Sequence, residues 1–293
     1  MVSGDGLGRP PGRRSAHRSQ LPGGDQCVEG ASGLGATYRV AVVDLHTHVL
    51  PGLDDGARDL TEAVEIVRAM AEDGVRIVVA TPHVRHDYPT TPDQMEAALD
   101  GLRDAVEAAG IEVELRGGGE FSMSTLESLE VGALTRFGLG GNPQLLLLEF
   151  PYHGWPLSLV SDCARLLQRG VVPVIAHPER NAAVTSHLRE LGRIVRSGGV
   201  VQLTAAAVDG RLGRSAATRA RLLLDLELAH VIASDAHSPG VREAGLSSAA
   251  AEAGGELGHW LTSAAPAALL DGAELPTRPQ AELRRPSRWR LRR

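Results

Sequence analysis

The sequence contains no lysine, few aromatic residues and only two cysteines. All 30 of its positively charged side chains are arginines, and codon bias explains this better than a functional demand for guanidinium groups. Because only 3% of the residues are aromatic, we expect a core of leucine, valine, isoleucine and alanine. Cys27 and Cys163 are too few for a disulfide framework and fit a protein of the reducing cytoplasm.

Long apolar runs are also missing. No run approaches the roughly 20 residues that a membrane-spanning helix needs, and the N-terminal residues lack the apolar stretch of a secretory signal. We therefore expect a cytoplasmic protein that is not integral to a membrane. The net charge is -6, yet seven arginines and one glutamate follow Pro276, so the middle of the chain is strongly acidic. This charge distribution argues against nucleic acid as a partner.

Composition divides the chain into three segments. Residues 1–38 are rich in glycine, serine, arginine and proline, which predicts a disordered N-terminal extension. A true start codon further downstream is an alternative for this segment. Residues 39–272 are long enough for one large α/β domain or two small ones. Residues 273–293 are predicted to be an arginine-rich flexible tail.

Between the two ends, apolar runs typical of β-strands alternate with helical patterns. One helix is predicted at residues 61–72, and the next begins with Thr91 as N-cap and Pro92 at its first position. This alternation predicts a parallel sheet, and seven repeats in this length favour an α/β fold of the distorted (β/α)7, TIM-like barrel type. The strands are predicted near residues 40–44, 75–80, 111–115, 145–150, 171–176, 200–204 and 230–234.

Five histidines and four carboxylates occur where the predicted strands end. Alternate residues of a strand share a face, so His46 and His48 are expected to bind one ion side by side. The carboxyl ends of all strands of such a barrel meet at one rim, which brings distant residues together. Imidazole and carboxylate donors suit manganese, iron or zinc ions. The predicted metal ligands are His46, His48, Asp55, His83, Glu120, Glu149, His177, Asp235 and His237.

The motifs around these residues resemble one family. Residues 46–57 read HTHVLPGLDDGA, and the segments TPH, LEFP, HPER and SDAH contain further predicted ligands. Over about residues 42–270 the chain is similar to the polymerase-and-histidinol-phosphatase (PHP) domain of bacterial protein-tyrosine phosphatases from capsule and exopolysaccharide operons, the CpsB/CapC-like family. The resemblance implies a PHP-type barrel and phosphotyrosine phosphatase activity. The implied protein partner is a bacterial tyrosine autokinase that controls capsule or exopolysaccharide synthesis.

The resemblance also implies three metal ions, expected to be Mn²⁺, with Fe or Zn as alternatives. It divides the ligands into His46, His48, Glu120 and Asp235 for the first ion, Glu120, Glu149 and His177 for the second, and Asp55, His83 and His237 for the third. Glu112 and Glu114 are nearby carboxylates, but they precede the predicted strand end. Glu120 is therefore preferred as the bridging ligand.

The expected chemistry is hydrolysis of a phosphate monoester. Clustered divalent ions offset the charge of the phosphate oxygens and lower the pKa of a bound water to about 7, so that hydroxide attacks phosphorus in line. Arg180 and Arg242 are predicted to bind the non-bridging oxygens, because a guanidinium group matches phosphate geometry. A phenol leaving group has a pKa of about 10, so no separate general acid is required.

A second phosphatase signature is present, since Cys163 and Arg169 have the Cys-x5-Arg spacing of cysteine-dependent tyrosine phosphatases. Those enzymes need a tight loop whose amides face the phosphate, and a thiolate. Here the intervening residues are helix formers without glycine, and Cys163 continues an apolar stripe with Leu159 and Leu166. We therefore predict a packed helical cysteine.

Two other functions stay open. The same chemistry would hydrolyse histidinol phosphate, another small phosphomonoester or a nucleic-acid phosphodiester. The aspartate-rich segment 50–57 favours the tyrosine phosphatase branch, and the negative charge counts against a nuclease. A catalytically weak regulatory module that binds the kinase is an alternative of a different class, against which the complete ligand set argues. The oligomeric state is not predicted.

Overall fold

The computed structural model describes residues 41–126, 131–238 and 244–280. The predicted extension at residues 1–38 and the last part of the predicted tail, residues 281–293, lie outside these ranges. The three proposed segments therefore stay a prediction. In the described ranges, every helix is too short or too polar to cross a bilayer.

Ten strands occur in the described residues and form two sheets. One sheet has the order β1-β2-β5, and the other has the order β10-β9-β8-β7-β6-β3-β4. All neighbours are parallel except β3 and β4, which form an antiparallel hairpin. The predicted α/β class with parallel strands is thus confirmed. The strands are β1 (Val42–Thr47), β2 (Val75–Ala80), β3 (His83–Arg85), β4 (Tyr88–Pro89), β5 (Glu114–Gly117), β6 (Glu120–Ser122), β7 (Leu145–Glu149), β8 (Val172–Ala176), β9 (Val200–Thr204) and β10 (Val231–Ala233).

The two sheets are linked at both sides. β2 runs into β3 after two residues, β5 runs into β6 after two residues, and β2–β5 and β3–β6 are both parallel neighbours. On the other side, Thr47 forms a parallel bridge with Ala236. The Asp44 carboxylate accepts a hydrogen bond of 2.9 Å from the backbone N–H of Ser234. The carboxyl ends of β1 and β10 therefore lie side by side.

Two of the predicted strands are displaced along the sequence. The strand predicted at 111–115 is observed as β5, three residues later, because the N–H of Ile111 still bonds to the carbonyl of Val106 at the end of a helix. The strand predicted at 40–44 is observed as β1, which ends at Thr47. The other five agree within one residue at each end.

Helices follow the strands, and the first two begin directly after a capping residue, as predicted from the sequence for Thr91. α1 starts after Asp59, which accepts from the N–H of Glu62, and α2 starts after Thr91, which forms a capping box with Gln94. Such caps satisfy the free N–H groups of a first helical turn. The helices are α1 (Leu60–Glu72), α2 (Pro92–Ala108), α3 (Val131–Arg136), α4 (Leu159–Gln168), α5 (Leu188–Arg196), α6 (Ala205–Val208), α7 (Arg214–Asp225), α8 (Ser247–Ala253), α9 (Gly255–His259) and α10 (Ala265–Leu270).

The buried core is built mainly from aliphatic side chains, as the composition predicts. A larger cluster packs the helices onto the strands, and a smaller one joins β1, β2 and β7–β10 to Leu269 and Leu270 of α10. Residues 273–280 have no helix or strand, but they contact this body. Trp260 Nε1 donates a hydrogen bond of 3.0 Å to the carbonyl of Pro276, and Leu275 packs against the core.

Candidate metal centre

The nine predicted metal ligands are all in the described residues and lie at the carboxyl ends of the strands. Each follows or ends a strand, begins the short strand that continues one (His83 and Glu120), or lies on the loop after β1, as Asp55 does. Eight of the nine are buried, and the Asp55 side chain is 39% exposed. Parallel strands that end at one edge thus bring together residues from both ends of the described chain.

The donor atoms of these nine residues come within 4.8 Å of one another in four overlapping groups. The groups share His46, His48, His83 and Glu120, so they form one continuous cluster. They are His48, Asp55, His83 and His237; His46, His48 and Glu120; His46, His177 and Asp235; and His83, Glu120 and Glu149.

Glu120 occupies the middle of the cluster. Its Oε2 atom lies 3.3 Å from the Nε2 atoms of both His46 and His48, and 2.9 Å from His83 Nδ1. Its Oε1 atom lies 3.1 Å from His177 Nε2. One carboxylate therefore faces four imidazole rings, which is the arrangement that a bridging ligand requires.

The cluster has the chemistry of a cation site. His46 Nε2 and His48 Nε2 are only 3.1 Å apart. Among the described residues, the buried Glu120 Oε2 and His83 Nδ1 atoms make no hydrogen bond of acceptable geometry. Burial alone would lower the pKa of His48, but the charge of Asp54 and hydrogen bonds to neighbouring carboxylates raise it well above its usual range. A place that attracts protons this strongly also attracts metal cations, and its mixed nitrogen and oxygen donors fit manganese, iron or zinc.

The predicted division of the ligands among three ions stays a prediction, because the four donor groups overlap. His177 lies with His46 and Asp235 rather than with Glu149. His83 lies with Glu120 and Glu149 as well as with Asp55 and His237. Glu120 connects the groups, because its Oε2 lies near His46, His48 and His83 and its Oε1 lies near His177.

Two of the candidate ligands have an unusual backbone. His177 follows β8 with φ 36°, and Asp235 follows β10 with φ 53°. Among the described residues other than glycine, only Glu227 shares a positive φ with them. Such conformations cost about 1–3 kcal/mol each and concentrate at functional sites. They turn the chain sharply just where each strand ends.

Asp54 supports two of the candidate ligands, although its sequence position indicates only a turn residue. Its Oδ2 lies 2.7 Å from His48 Nδ1 and accepts a hydrogen bond of 2.9 Å from the N–H of His83. Its Oδ1 accepts from the N–H of Gly56, as expected for a turn. Gly56 is required because a Cβ atom there would lie 2.0 Å from the carbonyl oxygen of His48.

Gln202 and Asp44 also touch the first histidine. Gln202 Oε1 lies 3.0 Å from His46 Nδ1, where it fixes the ring so that Nε2 faces Glu120. No sequence signal identifies Gln202, because it is a buried residue of β9 that lies 156 positions away from its partner. Asp44 Oδ1 lies 3.5 Å from the backbone nitrogen of His46 and accepts a hydrogen bond from the N–H of Ser234. Burial raises the pKa of Asp44 to about 6.

Of the two predicted phosphate-binding arginines, Arg180 lies at the cluster. Its Nη1 donates to Asp235 Oδ2 at 2.5 Å, and its guanidinium carbon is 4.5 Å from the centre of the Tyr152 ring. The same ring stacks on His177 with centroids 6.0 Å apart. Tyr152 therefore lies at the edge of the cluster. Arg242 lies outside the described residues.

Cys163 is buried in α4 and packs in the apolar core, as predicted. Burial, with the nearby charge of Asp162, raises the pKa of its thiol to about 12. A cysteine nucleophile needs the opposite shift, because the thiolate is the reactive form. The Cys-x5-Arg spacing is therefore part of a helix and not a phosphate-binding loop.

Comparisons with known proteins identify the family of this chain. The sequence profile of the family described as "Capsular polysaccharide synthesis, CpsB/CapC" matches residues 42–263. The tyrosine-protein phosphatase YwqE of Bacillus subtilis (strain 168) is 30% identical over 250 residues, which are 84% of this chain and 95% of the relative. The tyrosine-protein phosphatase CpsB of Streptococcus pneumoniae is 26% identical over 211 residues, which are 67% of this chain and 83% of the relative.

A solved structure is also similar. It comes from crystal structures of YwqE from Bacillus subtilis and CpsB from Streptococcus pneumoniae, described as unique metal-dependent tyrosine phosphatases. The TM-score is 0.72 at 30% identity, and the match covers 83% of this chain and 100% of the other. The sequence profile, the relatives and the solved structure agree, so this chain belongs to the CpsB/CapC family of capsular polysaccharide synthesis proteins.

Proposed function

We propose that this protein is a metal-dependent phosphatase that removes phosphate from phosphotyrosine residues of proteins. The observation that carries the proposal is the convergence of nine imidazole and carboxylate donors in one cluster. Its relatives YwqE and CpsB are named tyrosine-protein phosphatases, and the similar solved structure is described as metal-dependent. Family membership and site chemistry therefore favour the same activity.

The proposed metal complement is three closely spaced ions, with Mn²⁺ favoured over Fe or Zn. The nine residues named above would hold them, with Glu120 as the bridge. Support comes from the overlap of the four donor groups and from the two Glu120 oxygens, which face different histidines. When bound, such ions supply concentrated positive charge and Lewis acidity at the phosphate.

The chain's own residues would bind and orient the substrate. Arg180 is 15% exposed and lies at the edge of the cluster, where its guanidinium group is suited to phosphate oxygens. Tyr152 lies beneath that guanidinium and is 40% exposed, so it limits the side from which an aryl phosphate enters. We propose Arg242 as the second phosphate-binding arginine on the strength of its sequence position. Asp54 and Gln202 would keep the His48 and His46 rings oriented.

We also infer that the two sheets form one closed barrel of seven parallel strands. The continuity of β2 with β3 and of β5 with β6 supports this, because each pair counts as one interrupted strand. Bonds between the ends of β1 and β10 support closure on the other side. A closed barrel explains why the carboxyl ends of all strands surround one point.

The proposed physiological substrate is a bacterial tyrosine autokinase of capsule or exopolysaccharide synthesis, dephosphorylated in the cytoplasm. The family description supports the link to capsular polysaccharide synthesis. A cytoplasmic site fits the low cysteine content and the buried free thiol of Cys163.

A substrate panel tests the proposed function. The full chain, purified and supplied with Mn²⁺, is assayed on phosphotyrosine peptides, histidinol phosphate and short oligonucleotides. We expect the highest kcat/KM on phosphotyrosine peptides. A preference for histidinol phosphate or oligonucleotides would replace the proposed substrate, and failure to hydrolyse any of them would favour a kinase-binding module.

A further inference from the structure

Arg85 is a cationic side chain at the candidate metal centre that none of the sequence motifs singles out. It ends β3, and its Nη1 atom lies 2.8 Å from Glu149 Oε1. Its Nε atom lies 2.9 Å from Asp87 Oδ1. Its side chain is only 21% exposed, and its guanidinium group lies between two carboxylates.

The β3–β4 hairpin explains the conformation of Arg85. A two-residue turn joins the strands, so that Arg85 pairs with Tyr88 across the hairpin. The guanidinium carbon lies 5.1 Å from the centre of the Tyr88 ring, which is an attractive cation–π arrangement. The other neighbour of this ring is His83, stacked at 5.8 Å with an interplanar angle of 16°. The hairpin thus connects Arg85 to a candidate metal ligand.

Strand register aligns Arg85 with Glu149. Val84 of β3 is opposite Phe121 of β6, and Ser122 of β6 is opposite Glu149 of β7. Arg85 comes one residue after Val84, as Ser122 comes one residue after Phe121, so Arg85, Ser122 and Glu149 are aligned across the three strands. Neighbouring strands are about 4.8 Å apart, and the small Ser122 side chain leaves room for the arginine to reach across β6.

Glu149 has two oxygens in different surroundings. Oε1 is bound by Arg85, whereas Oε2 lies 3.9 Å from His83 Nδ1. The donor atoms of His83, Glu120 and Glu149 form one of the candidate metal groups. We infer that Arg85 is a positioning residue, which holds Oε1 of Glu149 so that Oε2 faces the ion bound by this group. The inference rests on the proposed function, because it presumes that the group binds a metal.

Replacing Arg85 by lysine separates geometry from charge. Lysine keeps the positive charge, so its repulsion of a nearby cation stays similar, but it loses the planar fork that grips Glu149 and lies on Tyr88. We expect Arg85→Lys to bind one Mn²⁺ roughly 10- to 100-fold more weakly, as for other residues that orient a metal ligand. Excess Mn²⁺ should restore kcat, and inhibition by inorganic phosphate should then match the wild type.

The experiment measures Mn²⁺ affinity and stoichiometry by titration calorimetry with chelator competition, and phosphate inhibition at saturating Mn²⁺. Arg136→Lys is the matched control, because Arg136 binds Asp93 and Glu96 on the surface. Wild-type Mn²⁺ affinity in Arg85→Lys, or tighter binding, would overturn the inference. So would weaker phosphate inhibition with unchanged Mn²⁺ affinity, which would make Arg85 a substrate contact.

Tyr88 provides a second test if Arg85→Lys folds poorly. Tyr88→Phe keeps the ring and should retain wild-type Mn²⁺ affinity. Tyr88→Leu removes the surface on which Arg85 lies and should weaken binding in the same direction as Arg85→Lys. Equal affinities in the two Tyr88 variants would contradict the inference. A wild-type protein that binds no Mn²⁺ would instead refute the proposed function.

Discussion

Burial favours the uncharged form of a side chain both at the candidate metal centre and at His230 and Cys163, but in the first region neighbouring carboxylates reverse its effect on the pKa of His46, His48 and His83. The pKa of His83 is raised to about 9, because the nearby carboxylates of Asp55 and Glu120 outweigh the burial that alone would lower it. By contrast, burial lowers the pKa of His230 to about 4 and raises that of Cys163 to about 12. Of these three groups, His83 alone favours its charged form, because carboxylates converge on it at the carboxyl ends of the strands.

His177 is an exception among the histidines of the candidate metal centre. Burial lowers the pKa of His177, and its contacts with Glu120 do not overcome that effect. A neutral imidazole is the form that binds a metal ion, so His177 is ready for such a role. Burial keeps the His177 ring neutral, and the neighbouring donor atoms of His46 and Asp235 complete a group that can hold a metal ion.

The largest effect is expected from removing a candidate ligand. His177→Ala or Asp235→Ala should lower phosphatase activity by about 1000-fold, because losing about 4 kcal/mol of charge stabilisation has this effect on a rate. The measurement is kcat/KM on an aryl phosphate at saturating Mn²⁺, with Mn²⁺ content determined on the same samples. Near wild-type activity in both variants would show that the cluster is not the site of chemistry.

A smaller loss is expected from Asp54→Asn. Asparagine can still accept the hydrogen bond from the N–H of Gly56, but it lacks the charge that orients the His48 ring. We expect roughly 10- to 100-fold weaker Mn²⁺ binding, measured by competition with a chelator. Asp100→Asn, on the exposed face of α2, serves as the control. Equal affinity in the two variants would reduce Asp54 to a turn residue.

His230, which is partly buried and lies outside the candidate metal centre, predicts a pH dependence of the free energy of unfolding. His230 Nδ1 accepts a hydrogen bond of 3.2 Å from the N–H of Val201, so the folded protein favours the neutral ring. Its pKa is about 4 in the folded protein and about 6.5 in an unfolded chain. The stabilisation that the neutral His230 ring adds to the folded protein is thus complete above pH 6.5 and is lost as the pH falls towards 4.

Between pH 7.5 and pH 5 this loss amounts to about 2 kcal/mol of unfolding free energy. The measurement is urea unfolding of the metal-free protein at both pH values, for the wild type and for His230→Gln. We expect the variant to lose less stability than the wild type by about that amount. Identical losses in the two proteins would mean that His230 does not titrate as its burial requires.

The smallest effect is expected from Cys163→Ser. The thiol is buried in α4 and lacks the contacts of a phosphate-binding loop. Activity should stay within about twofold of wild type, while stability falls by about 1 kcal/mol because a hydroxyl replaces a packed thiol. Loss of activity in a folded Cys163→Ser protein, with activity retained in His177→Ala, would reverse the assignment of the two signatures.

Local patterns predicted most of the fold, and the motifs at strand ends predicted the nine clustered residues. Thr91 and Pro92 marked the start of α2 because capping depends on nearby residues. The contacts of Gln202 and Arg85 could not be predicted in this way. Each depends on strand register between segments far apart in the sequence, which a local pattern does not contain. The late start of β5 has a different and local cause, because the backbone N–H of Ile111 still donates a hydrogen bond to the carbonyl of Val106 at the end of α2.

Removal and return of metal tests whether the cluster of nine candidate ligands is a catalytic metal centre. The full chain is stripped with chelator, its metal content is determined, and hydrolysis of a phosphotyrosine peptide is measured before and after titration with Mn²⁺. We expect no turnover without metal, recovery on addition of Mn²⁺ and no recovery in Asp235→Ala. Full activity in demonstrably metal-free protein, or continued inactivity after Mn²⁺ has bound, would contradict it.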